Sequence, residues 1–339
     1  MAKLLGWVKV SVIATVLNEG MALSRLLDSL VAQTRTPDEV VIVDGGSTDD
    51  TLPILQAAAR DGRLPLHILV EPGANISRGR NLAIAAASGE IIASTDAGVW
   101  LSEGWLAELI APFESPHPPQ VVSGVFVPDA HGAFEVAMAA TVLPTLDEIR
   151  PEHFLPSSRS VAFTRAAWQA VGGYPEWLDY CEDLVFDLRL RQCFAPFGFA
   201  PKAVAHFRPR SNLRSFFKQY YQYARGDGKA DLWRARHLIR YLTYLVALPS
   251  LLALGWLVSP VWWLVLAGLA WVGHLRLPYR RLWPWLGQLT WPERCQALLW
   301  VPVIRVTGDV AKMLGYPVGW AWRLRQLPRQ PALRWREFA

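Results

Sequence analysis

The chain is short of cysteine and, over one long stretch, short of charge altogether. Its 339 residues hold three cysteines, Cys181, Cys193 and Cys295. An odd number without metal-type spacing argues against a disulfide framework and a zinc site, and fits free thiols in a reducing compartment. No internal repeat or low-complexity linker is present. The opening residues MAKLLGWVKVSV are too short and too soon broken by charge for a secretory signal, so export of the acidic N-terminal domain is not expected. From Tyr241 to Gly273, 33 residues contain no Asp, Glu, Lys, Arg or His. A membrane-spanning helix takes roughly 20 residues, so this run is too long for one crossing and slightly short for two. Ser259-Pro260 supplies a turn near its middle, while Leu238, Ile239, Leu275 and Leu277 extend its ends. Two short helices in a hairpin are expected, with one tilted helix or a re-entrant pair as the alternative.

Charge elsewhere is uneven. Residues 1–201 carry 13 Lys and Arg against 24 Asp and Glu, residues 202–240 carry 10 against 2, and residues 274–339 carry 11 against 3. Arg234, Arg236 and Arg240 precede the apolar run, and Arg276, Arg280 and Arg281 follow it, which places both ends on the cytoplasmic side by the positive-inside rule. Phe216, Phe217, Tyr220, Tyr221 and Tyr223 among basic residues suggest nucleic acid by composition. Their position beside the apolar run favours lipid headgroups, so a bilayer is the expected partner and nucleic acid is not. The tryptophan-rich tail around WVPVIRVTGDVAKMLGYPVGWAW contains Arg305, Asp309 and Lys312, and reads as a pair of membrane-surface helices in preference to a third span.

Residues 1–201 alternate strand and helix as a mostly parallel sheet requires. Strands are expected over 8–16, 40–43, 66–70, 90–95, 121–126 and 160–163, and helices over 23–32, 51–60 and 80–87. Residues 131–158, with mixed periodicity and several prolines, suit a mobile loop or an irregular connection. Three strand ends carry chemistry: Asn18 and Glu19, then Asp44-Gly45-Gly46-Ser47, then Asp96. Open α/β sheets bind ligands at such carboxyl ends. Asp44 and its glycines let backbone pass close to a ligand, and Ser47-Thr48-Asp49-Asp50 caps the next helix; a plain turn and cap would look the same. Asp96 equally suits a cap for a helix starting near Glu103. Arg78 and Arg80 with Asn81 fit either a surface helix start or a pyrophosphate clamp, since guanidinium binds phosphate bidentately. Glu182-Asp183 opens a helix, LVFDLRLR, whose Leu184, Leu188 and Val185 are expected inward; acids there also suit the helix dipole.

Taken in order, TVLNEG, VVIVDGGSTDDT, SRGRNLAIAAASGEIIASTDAG, GGYPEWLDYCEDLVFDLRLR and QYYQYARGDG resemble the bacterial membrane-anchored family-2 glycosyltransferases of the GT-A fold, over roughly residues 10–230. The resemblance implies an α/β fold in which a Rossmann-like mixed, mostly parallel sheet is flanked by helices. Residues 1–230 would form the catalytic domain and 231–339 a transmembrane or interfacial helical region. Thr15, Asn18, Glu19 and Asp44, with Ser47, would hold the donor nucleotide, and Arg78, Arg80 and Asp96 its diphosphate. Gln222 and Arg225 match the family's pyrophosphate and acceptor segment, with Gly226 in place of Trp. Asp183 would be the catalytic base, Glu182 its neighbour beside the acceptor. Mg²⁺ or Mn²⁺ is expected on Asp96 and His206, although Gly98 stands where a second carboxylate is usual. The implied activity is inverting transfer of one sugar from a nucleotide-diphosphate sugar to a hydroxyl of a lipid-linked or cell-envelope glycan, on the cytoplasmic face of the inner membrane. The alternatives are a polyprenyl-phosphate glycosyltransferase and a non-catalytic membrane subunit of a glycan assembly complex.

Overall fold

The computed structural model describes residues 8–335; the segment 1–7, where no secretory signal is expected, lies outside them. In chain order come β1 (Val10–Val16), α1 (Ala22–Val31), β2 (Glu39–Asp44), α2 (Thr51–Asp61), β3 (Leu66–Val70) and α3 (Ile76–Ala86). Next are β4 (Ile91–Ser94), β5 (Val99–Leu101), α4 (Trp105–Ile110), β6 (Val121–Pro128), α5 (Gly132–Val142), β7 (Val161–Thr164) and α6 (Arg165–Ala170). The chain continues through α7 (Glu182–Phe194), β8 (Gly198–Phe207), α8 (Leu213–Ala230), α9 (Arg234–Leu242), α10 (Leu248–Leu257), α11 (Val261–Ala270), α12 (Arg276–Leu282) and α13 (Trp291–Gln326). They form two compact units that do not follow a single cut: residues 8–128 with Ile149–Arg208, and Asp129–Glu148 with Pro209–Trp335. The boundary expected at residue 230 therefore falls inside the second unit.

The first unit is built on an eight-stranded sheet in the order β3-β2-β1-β4-β7-β6-β8-β5. Strands β1 to β4 pair in parallel. Strand β7 is antiparallel to both β4 and β6, β8 runs parallel to β6, and β5 pairs antiparallel with β8. The sheet is thus mixed and mostly parallel, as expected. VSVIATV, EVVIVD and IIAS are nearly continuous in apolar residues because both faces are covered. One face packs Val10, Val12, Leu23, Leu26 and Trp105 together, and the other Ile13, Val41, Ile84, Phe163 and Phe186.

Three local expectations change. Helix α3 begins earlier, at Ile76, because the Asn75 side chain accepts from the Arg78 N–H as an N-cap. The cap residue of α4 is Gly104, so Asp96 does not cap it. Helix α7 buries Val185, Phe186, Asp187 and Leu190, leaving Leu184 and Leu188 half-buried. Its inward face is set by Phe186, which stacks on Tyr174 with ring centroids 4.0 Å apart and meets Phe163 edge-on at 5.2 Å.

In the second unit, most of the first half of residues 131–158 is not loop. It is α5, buried on nearly every side, which is why it lacks amphipathic periodicity. The expected pair of surface helices is one 36-residue helix, α13, which starts with a Thr290/Glu293 capping box and runs through Pro302 and Pro317. It stays one helix because it lies against α8 almost backbone to backbone. A Cβ added at Gly315 would sit 2.1 Å from the Tyr221 carbonyl oxygen, one at Gly319 2.0 Å from that of Arg225, and one at Gly228 2.3 Å from that of Tyr316. Two further helical stretches, Arg234–Leu257 and Val261–Gln288, are long and apolar enough to cross a membrane by length and composition, and little of either is buried. They meet at the expected Ser259-Pro260 break, where Gly255 makes room for the Trp263 ring.

Candidate active site

The β1 and β2 ends form one hydrogen-bonded frame. Asp44 Oδ1 accepts from the Gly46 N–H at 3.0 Å and from the Ser47 N–H and hydroxyl at 2.8 Å each. Ser47 Oγ accepts from the Asn18 N–H at 2.9 Å, and Asn18 Oδ1 from the Thr48 N–H at 2.8 Å. Asn18 adopts a left-handed φ of 55°, a conformation its short polar side chain tolerates. Thr51 Oγ1 accepts from the N–H groups of Glu19 and Gly20. Ser47 therefore ties the two loops instead of capping α2, whose first N–H reaches Asp49. Asp44 Oδ2 is buried and has no hydrogen-bond partner among the described residues. Thr15 on β1 stands opposite Val43 on β2, with its methyl against Gly79. The Glu19 carboxylate lies near Gly98, 3.9 Å from where a Cβ would be.

Arg80 is the centre of the unit's polar interior. It is 1% exposed, donating to Glu182 Oε1 at 2.7 Å through Nη1 and to Asp96 Oδ1 at 2.8 Å through Nη2. Its guanidinium lies 5.2 Å from the Tyr174 ring centroid. A buried cation paired with two carboxylates is an internal strut, although its Nε has no hydrogen-bond partner among the described residues, so Arg80 is not the solvent-facing phosphate clamp its sequence position suggests. Arg78, by contrast, is exposed and pairs with Glu71 at 2.6 Å. The second oxygen of Asp96 lies 3.4 Å from Arg159 Nε.

The acids respond differently to this setting. Burial would raise Asp96, but the charges of Arg80 and Arg159 outweigh it and hold the carboxyl below its usual range. Burial, helped by the Asp183 charge and only partly offset by Arg80, pushes Glu182 up to about 7. Burial and the Asp183 charge push Asp187 well above the ordinary carboxylate range. Asp187 is fully enclosed and its Oδ2 has no hydrogen-bond partner among the described residues. Asp183 is half-buried at the start of α7, after Cys181 in a left-handed conformation of φ 63°. Asp183 is thus the acid of the α7 start that keeps access to solvent.

Tyr174, Asp187 and Arg159 are not legible in the sequence as site residues. Tyr174 falls within the GGYPEW motif, and its hydroxyl pairs with Ser158 Oγ at 3.1 Å; Asp187 lies in the same matched segment but on the helix after the Glu182-Asp183 pair, and Arg159 lies outside every quoted motif. His206, expected as a metal ligand, pairs with two residues of the segment after Asp96. It stacks on Trp100 with centroids 3.6 Å apart, and its Nε2 lies 3.0 Å from Ser102 Oγ. Gln222 and Arg225 stand on α8 in the second unit. Among the described residues no three of His, Cys, Asp and Glu converge as metal ligands. A hard divalent cation wants about six oxygens, whereas Asp96 already faces two guanidinium groups and Gly98 offers no side chain, so this donor set does not fit one.

Comparison with known proteins adds a family to this geometry. Residues 11–157 match the model of glycosyl transferase family 2. The match takes in β1 to β6 and the strand-end loops that carry Asn18, Asp44 and Asp96. An uncharacterized glycosyltransferase of Nostoc sp. is 42% identical over 98 residues, 27% of this chain and 29% of that protein. The validoxylamine A glucosyltransferase of Streptomyces hygroscopicus is matched over 26% of its length, so these relatives are spanned only in part. The succinoglycan biosynthesis protein ExoA of Rhizobium meliloti is 27% identical over 80% of this chain and 84% of its own. A mannosyltransferase from Pyrobaculum calidifontis shares the fold, with a TM-score of 0.54 at 21% identity, covering 90% of this chain and 87% of that one. Within the matched residues, Asp44 ends β2 and Asp96 follows β4 by two residues.

Proposed function

We propose that the protein is an inverting glycosyltransferase that moves one sugar from a nucleotide-diphosphate sugar to a hydroxyl of a lipid-linked or cell-envelope glycan. The observation that carries this is the convergence, within a family 2 domain, of a hydrogen-bonded strand-end frame with an acid cluster braced by Arg80. The frame of Asn18, Asp44, Ser47 and Thr51 is preformed, so it binds a nucleoside without reordering the loops. Arg80 holds Glu182, and thereby fixes the start of α7 and the direction of Asp183. Asp183 takes the proton of the acceptor hydroxyl as the oxygen attacks the anomeric carbon; the diphosphate leaves from the opposite face, which inverts the configuration.

The two sparsely buried apolar helices support anchoring in the inner membrane with the family 2 domain cytoplasmic, since basic residues flank both ends. The breadth of the match to the succinoglycan biosynthesis protein supports an envelope polysaccharide as product. Asp183→Asn tests the mechanism, because it keeps side-chain shape but cannot accept a proton. Transfer should fall by about 10² to 10⁴-fold while donor affinity, measured by calorimetry, holds. Transfer at the parental rate would remove Asp183 from the role of base.

A further inference from the structure

The misfit between this site and a divalent cation points to another source of positive charge. Resting on the nucleotide-sugar reading above, we propose that Arg159 takes the cation's place and binds the donor diphosphate through its guanidinium. Arg159 reaches the end of β4 from the turn before β7 and keeps 26% of its side chain exposed. Arg80 cannot do this, being enclosed and committed to Glu182 and Asp96.

The Arg159 guanidinium is held ready by its surroundings. It lies 5.8 Å from the ring centroid of Phe126 on β6 and 5.0 Å from that of Phe207 on β8, so two aromatic faces limit its rotamers. Nη1 donates to Ser157 Oγ at 3.2 Å. Its contact with Asp96 is long, 3.4 Å against the 2.8 Å that Arg80 makes to the other oxygen. Asp96 keeps Arg80 as partner when Arg159 exchanges that contact for phosphate. The planar fork of arginine suits bidentate phosphate binding and stays charged at any working pH. Gly98, where a second metal-holding carboxylate is usual, brings no side chain to the space beside Asp96, and the Glu19 carboxylate lies 3.9 Å from where its Cβ would be.

The test uses the full-length protein in detergent, titrated with UDP, GDP, dTDP and CDP in EDTA and again in Mn²⁺. The best nucleotide should bind equally well in both. Arg159→Ala should weaken that diphosphate roughly ten- to a hundredfold, the loss of one charge-assisted contact, while the parent nucleoside without phosphate binds as before; Arg159→Lys should recover part of the loss. An unchanged nucleoside affinity shows that the variant is folded. Binding that requires Mn²⁺, or an Arg159→Ala variant that holds the diphosphate as tightly as the parent, overturns the proposal. Failure of every nucleotide in both conditions overturns instead the glycosyltransferase reading on which it rests.

Discussion

Each unit encloses an ion cluster, and the two are opposite in sign. In the first, a single guanidinium, Arg80, holds two carboxylates, Asp96 and Glu182, with Asp183 and Asp187 close by. In the second, a single carboxylate, Asp309, holds two guanidiniums. Arg240 Nε donates to its Oδ1 at 2.7 Å, Arg305 Nε lies 3.7 Å from Oδ2, and the Tyr244 hydroxyl donates to Oδ2 at 3.1 Å. In the acid-rich cluster, burial and the Asp183 charge make Glu182 hold its proton more tightly than an ordinary carboxyl does, which is how a site gains acid and base chemistry. Around Asp309 two guanidiniums and the Tyr244 hydroxyl converge on one carboxylate, and the cluster fastens α9 to α13.

Removing the central residue of each cluster should expose the difference. Arg80→Ala strands two buried acids, and loss of one partner from a buried ion pair costs about 3–5 kcal/mol; chemical denaturation should register a loss of that size. Asp309→Asn should cost less, about 1–3 kcal/mol, because Arg240 and Arg305 keep part of their surface exposed. Equal losses in the two variants would erase the contrast.

Glu182 sharpens it through pH. Its folded pKa of about 7 lies above the ordinary 4.5, so between these values the folded protein holds a proton that the unfolded chain has released. The stability this contributes is fully present below 4.5 and is lost as pH rises through about 7. Melting temperature should therefore fall over this window in the parent and less steeply in Glu182→Gln. Asp96, held below its usual range, has the opposite sign: its contribution is present at neutral pH and is lost on acidification through its lowered pKa. The smallest effect belongs to Arg78→Ala, since an exposed pair with Glu71 gains little over water; melting should be unchanged within error.

The strand ends and the membrane-length run were legible from the order of residues alone. Continuous apolar residues in β1, β2 and β4 mark strands covered on both faces, and the charge-free run with Ser259-Pro260 at its middle marks two helices and their break. Asn18, Asp44 and Asp96 were likewise placed correctly at the ends of strands, because such positions follow from local pattern. Packing in three dimensions was needed to put Arg80 inside against an acid 102 residues away, to give His206 to Trp100 and Ser102, and to stand Arg159 beside Asp96. It also made α5 a buried helix and α13 a single one. Hydrophobic periodicity reports one-sided burial, so it is silent on a helix buried all round and on which polar partners meet. Partners far apart in the chain are chosen by how the layers pack, here by Phe186 on Tyr174 and by the glycines that bring α8 and α13 together.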